Sequence, residues 1–311
     1  MEFSDQIYFS YLLKGDLPGG MNYVRQFPEQ AELYDRYINI FEREQYAAYE
    51  VDAKLGGILT MYQKYYRDAF YLCIGRKNAA EKLKALLAEY LGVADEGMEL
   101  DDMEQNQVAK AFQDRGLYFM GGRTSGYYGP YIWRTTESKT YEVELPEGIQ
   151  TYTINMLEGF IFKGWADYLS FGRVGTGGWT GRDGIINCVK SSYDTDSEDF
   201  KVSLLKHEAQ HARDLKAEPS MSSEELEYRA KLVELIYSGE RNLLERFARE
   251  CGISDKNNGH ALAADRIVEG FARKLNLGSA EMALLPLGLI QAVARELFQE
   301  SSRALRNNGL S

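Results

Sequence analysis

Leu204-Leu205-Lys206-His207-Glu208-Ala209-Gln210-His211-Ala212-Arg213-Asp214-Leu215 is the segment on which the reading of this chain turns. Residues three, four and seven apart share one face of an α-helix, so Leu204 and Leu215 flank His207, Glu208 and His211 on one side. Two imidazoles one turn apart can meet a single metal ion. Neutral imidazole suits Zn2+ at about 2.0–2.1 Å, and a catalytic site uses three protein ligands, leaving a fourth position for water. Glu208 directly follows the first imidazole, where its carboxylate reaches that water and takes its proton. The chain has three histidines in all, so composition does not account for two of them four apart with Glu after the first. The plain alternative is a charged, solvated helix with two surface histidines, which needs no carboxylate at position 208.

Outward from this helix the chain changes character twice. From Pro28 to about Gln113 apolar and aromatic residues recur three and four apart, as in Leu33, Tyr37, Ile40 and Phe41, which predicts successive helices. The run Tyr62, Tyr65, Tyr66, Phe70 and Tyr71 has the same spacing and is expected to be packing. After Gly116, the segments Tyr118-Phe119-Met120, Tyr131-Ile132-Trp133, Thr140 to Leu145 and Gln150 to Met156 are β-rich, short and separated by turn residues. Phe171 to Gly184 holds six glycines and reads as a flexible connection, lacking the spacing of a phosphate or dinucleotide loop. Ile185 to Val189 reads as one more strand. Helices follow over roughly 199–216, 222–238, 240–251, 260–275 and 280–306. The expectation is an α+β fold, mostly helical, with a small, largely antiparallel sheet before the motif helix. A helical region 1–115 is expected to precede a region 116–311 carrying the site, with one continuous domain as the alternative.

Composition narrows the partners. Forty-seven acidic against 36 basic residues give a net charge of -11, which argues against nucleic acid. Three widely spaced cysteines, Cys73, Cys188 and Cys251, imply no disulfide framework. The start, Met1-Glu2-Phe3-Ser4-Asp5, carries no signal-peptide pattern, and the most apolar run, Met282 to Val293, is broken by Pro286 and too short to span a bilayer. A cytoplasmic protein with no membrane partner is expected. Oligomeric state is not encoded in these features.

The HEAQH stretch resembles the active-site helix of the zincin metallopeptidases, whose motif is HExxH. The resemblance covers that helix closely and its strand-then-helix context loosely. The metzincin branch carries a Gly three residues after the second His and a third ligand three residues beyond, places held here by Asp214 and Ala217. The gluzincin branch takes its third ligand from a Glu on a following helix, and Ser222-Ser223-Glu224-Glu225-Leu226-Glu227-Tyr228-Arg229-Ala230 offers three, after a turn at Pro219-Ser220. Ser222 and Glu225 match a capping box, and Glu224 suits the first-turn dipole. Glu227, one turn before the small Ala230, is the choice among them, with His260 or another carboxylate as alternatives.

The resemblance further implies Zn2+ held by His207, His211 and Glu227, with Glu208 as general base in hydrolysis of a peptide or protein substrate. A downstream His or Tyr in gluzincins stabilises the oxyanion, a role that falls to His260, after Asn257-Asn258-Gly259. Asp214 is a candidate to orient a ligand imidazole, or else an exposed charge. The resemblance also implies an edge strand above the active-site helix that pairs with extended substrate; Ile185 to Val189 is the candidate, with the Gly-rich stretch as a flap. The competing expectation is a catalytically inactive zincin-like metal-binding or interaction protein.

Overall fold

A computed structural model describes residues 2–94, 97–181, 183–251 and 259–308. Asn257 and Asn258 lie outside them. The fold is α+β and mostly helical, with small, largely antiparallel sheets. Two compact units interleave in sequence, Met1–Thr135 with Glu158–Gly175 and Thr136–Leu157 with Thr176–Ser311.

In the first unit the helices Asp5–Leu13, Leu17–Val24, Ala31–Tyr37, Ala53–Tyr66 and Arg76–Leu91 build an aromatic core. Ser4, Asp16 and Asp52 each cap a helix by accepting a backbone N–H three residues on, from Ile7, Gly19 and Leu55. The first two caps start helices ahead of Pro28, where the apolar spacing is too short to announce them. Tyr62, Tyr65, Tyr66 and Phe70 are fully buried, while Tyr71 is partly exposed. Tyr62 donates its hydroxyl to Glu104 Oε1 at 2.5 Å, and Tyr65 accepts the Tyr128 N–H at 3.0 Å. The strands Tyr118–Met120, Tyr131–Trp133 and Phe162–Lys163 form an antiparallel sheet in this unit, with Ile132 opposite both Phe119 and Phe162.

The second unit carries a four-stranded sheet in the order Thr135–Leu145, Gly148–Glu158, Ile186–Val189, Gly178–Thr180. Ile154, Met156, Ile186 and Cys188 alternate with Asn155 and Asn187, so one face is buried. Ile186–Val189 runs parallel to Gly148–Glu158 and antiparallel to Gly178–Thr180. It is therefore internal, and the expected edge strand is corrected to Gly178–Thr180, inside the Gly-rich stretch. A Cβ on Gly178 would sit 2.7 Å from Asn187 O, so only glycine lets the two backbones approach this closely.

Helices cover the buried face of this sheet. Asp199–Lys206 winds in wide, π-type turns and passes directly into the α-helix His207–Ala217. Ser223–Tyr237, Leu243–Glu250 and Gly259–Leu275 follow. The single helix expected over 280–306 is instead Ser279–Met282 and Leu287–Asn308, because Pro286 supplies no N–H and disfavours helical backbone before it. No helix among the described residues is long and apolar enough to cross a membrane.

Candidate metal centre

Phe200, Leu204, Leu205, Ala209 and Ala212 are buried in one core with Ile154, Ile186 and Cys188. Packing that apolar side fixes the helix rotation and carries His207, Glu208 and His211 onto another side, at 8, 9 and 9 % exposure. The next helix is fixed in the same way. Ser222 Oγ accepts the Glu225 N–H at 3.2 Å and sets its start, while Tyr228, Leu232, Leu235 and Ile236 enter the core. Ala230 is fully buried. Glu227 is left facing the two imidazoles.

His207 Nε2 and His211 Nε2 lie 3.0 Å apart, and Glu227 places Oε2 3.4 Å from the first and Oε1 3.5 Å from the second. One ligand atom from each of the three residues lies within 4.8 Å of the other two, against about 3.3–3.4 Å for the edge of a tetrahedral site with bonds of about 2.0–2.1 Å. Three ligand atoms define one face of a tetrahedron and leave the fourth corner open. Glu227 Oε2 is buried and, among the described residues, faces imidazole nitrogens alone, His260 Nδ1 at 3.0 Å and His207 Nε2 at 3.4 Å. Two imidazoles and one carboxylate are a donor set of the number and chemistry that a zinc ion takes.

The electrostatics agree with this geometry. Burial works against a charge on His207, but Glu227 and Glu234 outweigh it and push its pKa up to about 10. Burial likewise opposes the charge on Glu227, yet the His207, His211 and His260 imidazoles hold its pKa well below the usual carboxylate range. Both shifts arise from the carboxylates and imidazoles lying so close together.

The surrounding residues sort the remaining candidates. Glu224 and Glu225 turn toward Arg266, and Glu225 also accepts from Ser301 Oγ at 2.7 Å. Neither joins the histidines. His260 is brought in from the Gly259–Leu275 helix, its Nδ1 3.0 Å from Glu227 Oε2 and its side chain 61 % exposed. Asp214 is neither an imidazole partner nor an exposed charge: it is 3 % exposed and accepts from Arg229 Nε at 2.8 Å. Arg229 also donates to Ser301 and Ser302, each at 3.0 Å.

The imidazole partner is Glu234, whose Oε1 lies 2.7 Å from His207 Nδ1. A Nδ1–H held there leaves the Nε2 lone pair directed at the site. Sequence reasoning missed Glu234, although its spacing of seven from Glu227 places both on one helical face. Thr180 was missed as well. Its Oγ1 is 2.7 Å from Glu208 Oε2 and 2.9 Å from Glu208 O.

Two cavities flank the cluster and share His207, Glu208, Gly178 and His260. One, of about 410 Å³, is lined on its apolar side by Trp179, Leu215 and Leu226. The other, of about 470 Å³, is lined by Tyr193, Asp199, Lys231 and Phe247. The histidines therefore border open space on two sides. No protein-family model, curated protein or solved structure was found to match this chain.

Proposed function

We propose that this chain is a zincin-like, zinc-dependent metallopeptidase of the gluzincin kind. The observation that carries the reading is the convergence of His207 Nε2, His211 Nε2 and Glu227 at 3.0, 3.4 and 3.5 Å beside Glu208. Bound there, Zn2+ supplies an acidified water and polarises the substrate carbonyl. Glu208 takes the proton of the attacking water and delivers it to the departing amine. His260, at the rim, donates to the carbonyl oxygen as negative charge develops. Glu234 holds the His207 ring in orientation and tautomer. An extended peptide adds alongside Gly178–Thr180, the outer strand of the sheet, displacing the Thr176 hydroxyl from the Gly178 main chain.

The test is hydrolysis of a mixed peptide library by the zinc-loaded chain, read by mass spectrometry against Glu208→Gln. Cleavage by the wild type, lost in Glu208→Gln with zinc retained, supports the reading. Zinc retained with no cleavage by the wild type would favour an inactive metal-binding protein instead.

A further inference from the structure

We infer that Thr180 is a positioning residue for Glu208, an inference that rests on the peptidase reading. Its hydroxyl stands between two oxygens of the same residue, the Glu208 carboxylate at 2.7 Å and the Glu208 main-chain carbonyl at 2.9 Å. Both are acceptors, and Thr180 has one hydroxyl proton to give. A single hydroxyl within reach of both oxygens ties the Glu208 carboxylate to a fixed point on the strand. A free Glu side chain would explore several rotamers, and a misplacement of about 1 Å costs about 100-fold in rate.

The fold supplies the rigidity this needs. Thr180 pairs with Ile186 and Trp179 with Asn187 in the antiparallel ladder, so the hydroxyl is carried by the sheet while Glu208 is carried by the helix. Glu208 is 9 % exposed, and its carboxylate makes a hydrogen bond to no other protein side chain among the described residues. The strand that would receive the substrate therefore also aligns the base. Because Gly178 packs against Asn187 and Leu204, movement of that strand is tied to the motif helix.

The experiment compares Thr180→Val, which keeps shape and strand preference but removes the hydroxyl, with Thr180→Ser, which restores it. Zinc content, kcat, KM and a crystal structure are measured for each. Expected are unchanged zinc content and KM, a kcat about 10- to 100-fold lower in Thr180→Val, recovery in Thr180→Ser, and a Glu208 carboxylate displaced or split over rotamers in Thr180→Val alone. Equal kcat in all three, or a Glu208 carboxylate unmoved in Thr180→Val, would overturn the inference. If the wild type cleaves nothing, the peptidase reading fails, and the Glu208 position in the two crystal structures still decides whether Thr180 holds it.

Discussion

His207 Nδ1 and Glu234 Oε1 lie 2.7 Å apart, a carboxylate–imidazole contact behind the face of His207 that meets His211 and Glu227. The contact fixes which ring nitrogen carries hydrogen. Glu234→Gln is expected to lower zinc affinity about 10- to 100-fold with the fold intact. Competition with a chelating dye measures this, and an unchanged affinity would remove Glu234 from the site.

Glu227 and Glu225 separate by the same kind of experiment. Glu227→Gln is expected to abolish tight zinc binding. Glu225→Gln is expected to bind zinc normally and to lose about 1–2 kcal/mol of stability as its contacts to Arg266 and Ser301 weaken. Isothermal titration with zinc and urea unfolding of both variants check the pair; zinc loss in Glu225→Gln would contradict the assignment.

Asp214 is a stability residue. Its side chain is 5 % exposed and that of Arg229 2 %, and Asp214→Ala leaves the buried guanidinium with Glu147, at 3.5 Å, and the Ser301 and Ser302 hydroxyls. A cost of about 1.5–3 kcal/mol is expected for the lost charged hydrogen bond, with zinc affinity per folded chain unchanged. Denaturant unfolding reads the first, and metal titration of the folded fraction the second.

Glu104, in the first unit, gives the chain a pH dependence of its own. Burial pushes its pKa up to about 7 from the ordinary 4.5, although hydrogen bonds from Tyr62 and Gly122 act the other way. Between those two values the folded chain holds a proton that the unfolded chain has released. Its contribution to stability therefore falls as pH rises from about 4.5 through about 7 and then levels, by on the order of 3 kcal/mol in all. Urea midpoints at pH 5 and pH 8 should differ less in Glu104→Gln than in the wild type; equal differences would show that Glu104 does not titrate in this window.

Local spacing carried much of this site, and distant partners carried the rest. The imidazole pair and Glu208 lie within one and a half helical turns, so periodicity alone brings them together. Ser222 sets the phase of the next helix, and with it the position of Glu227. What turns Glu225 away is Arg266 and Ser301, which lie 41 and 76 residues on and leave no local trace. Arg229, 15 residues after Asp214, is equally invisible from the motif. The edge strand Gly178–Thr180 is too short to show alternation, and its extended backbone comes from pairing with Ile186–Val189. Glu234 is different. Its spacing from Glu227 was readable once the second helix was taken as a whole face.

The most direct measurement is zinc stoichiometry by plasma emission on the full chain and on His211→Ala, each prepared with added zinc and dialysed exhaustively. A site built from His207, His211 and Glu227 predicts about one zinc per wild-type chain and almost none in a folded His211→Ala. A wild-type chain that retains no zinc, or a His211→Ala variant that retains as much, would contradict it.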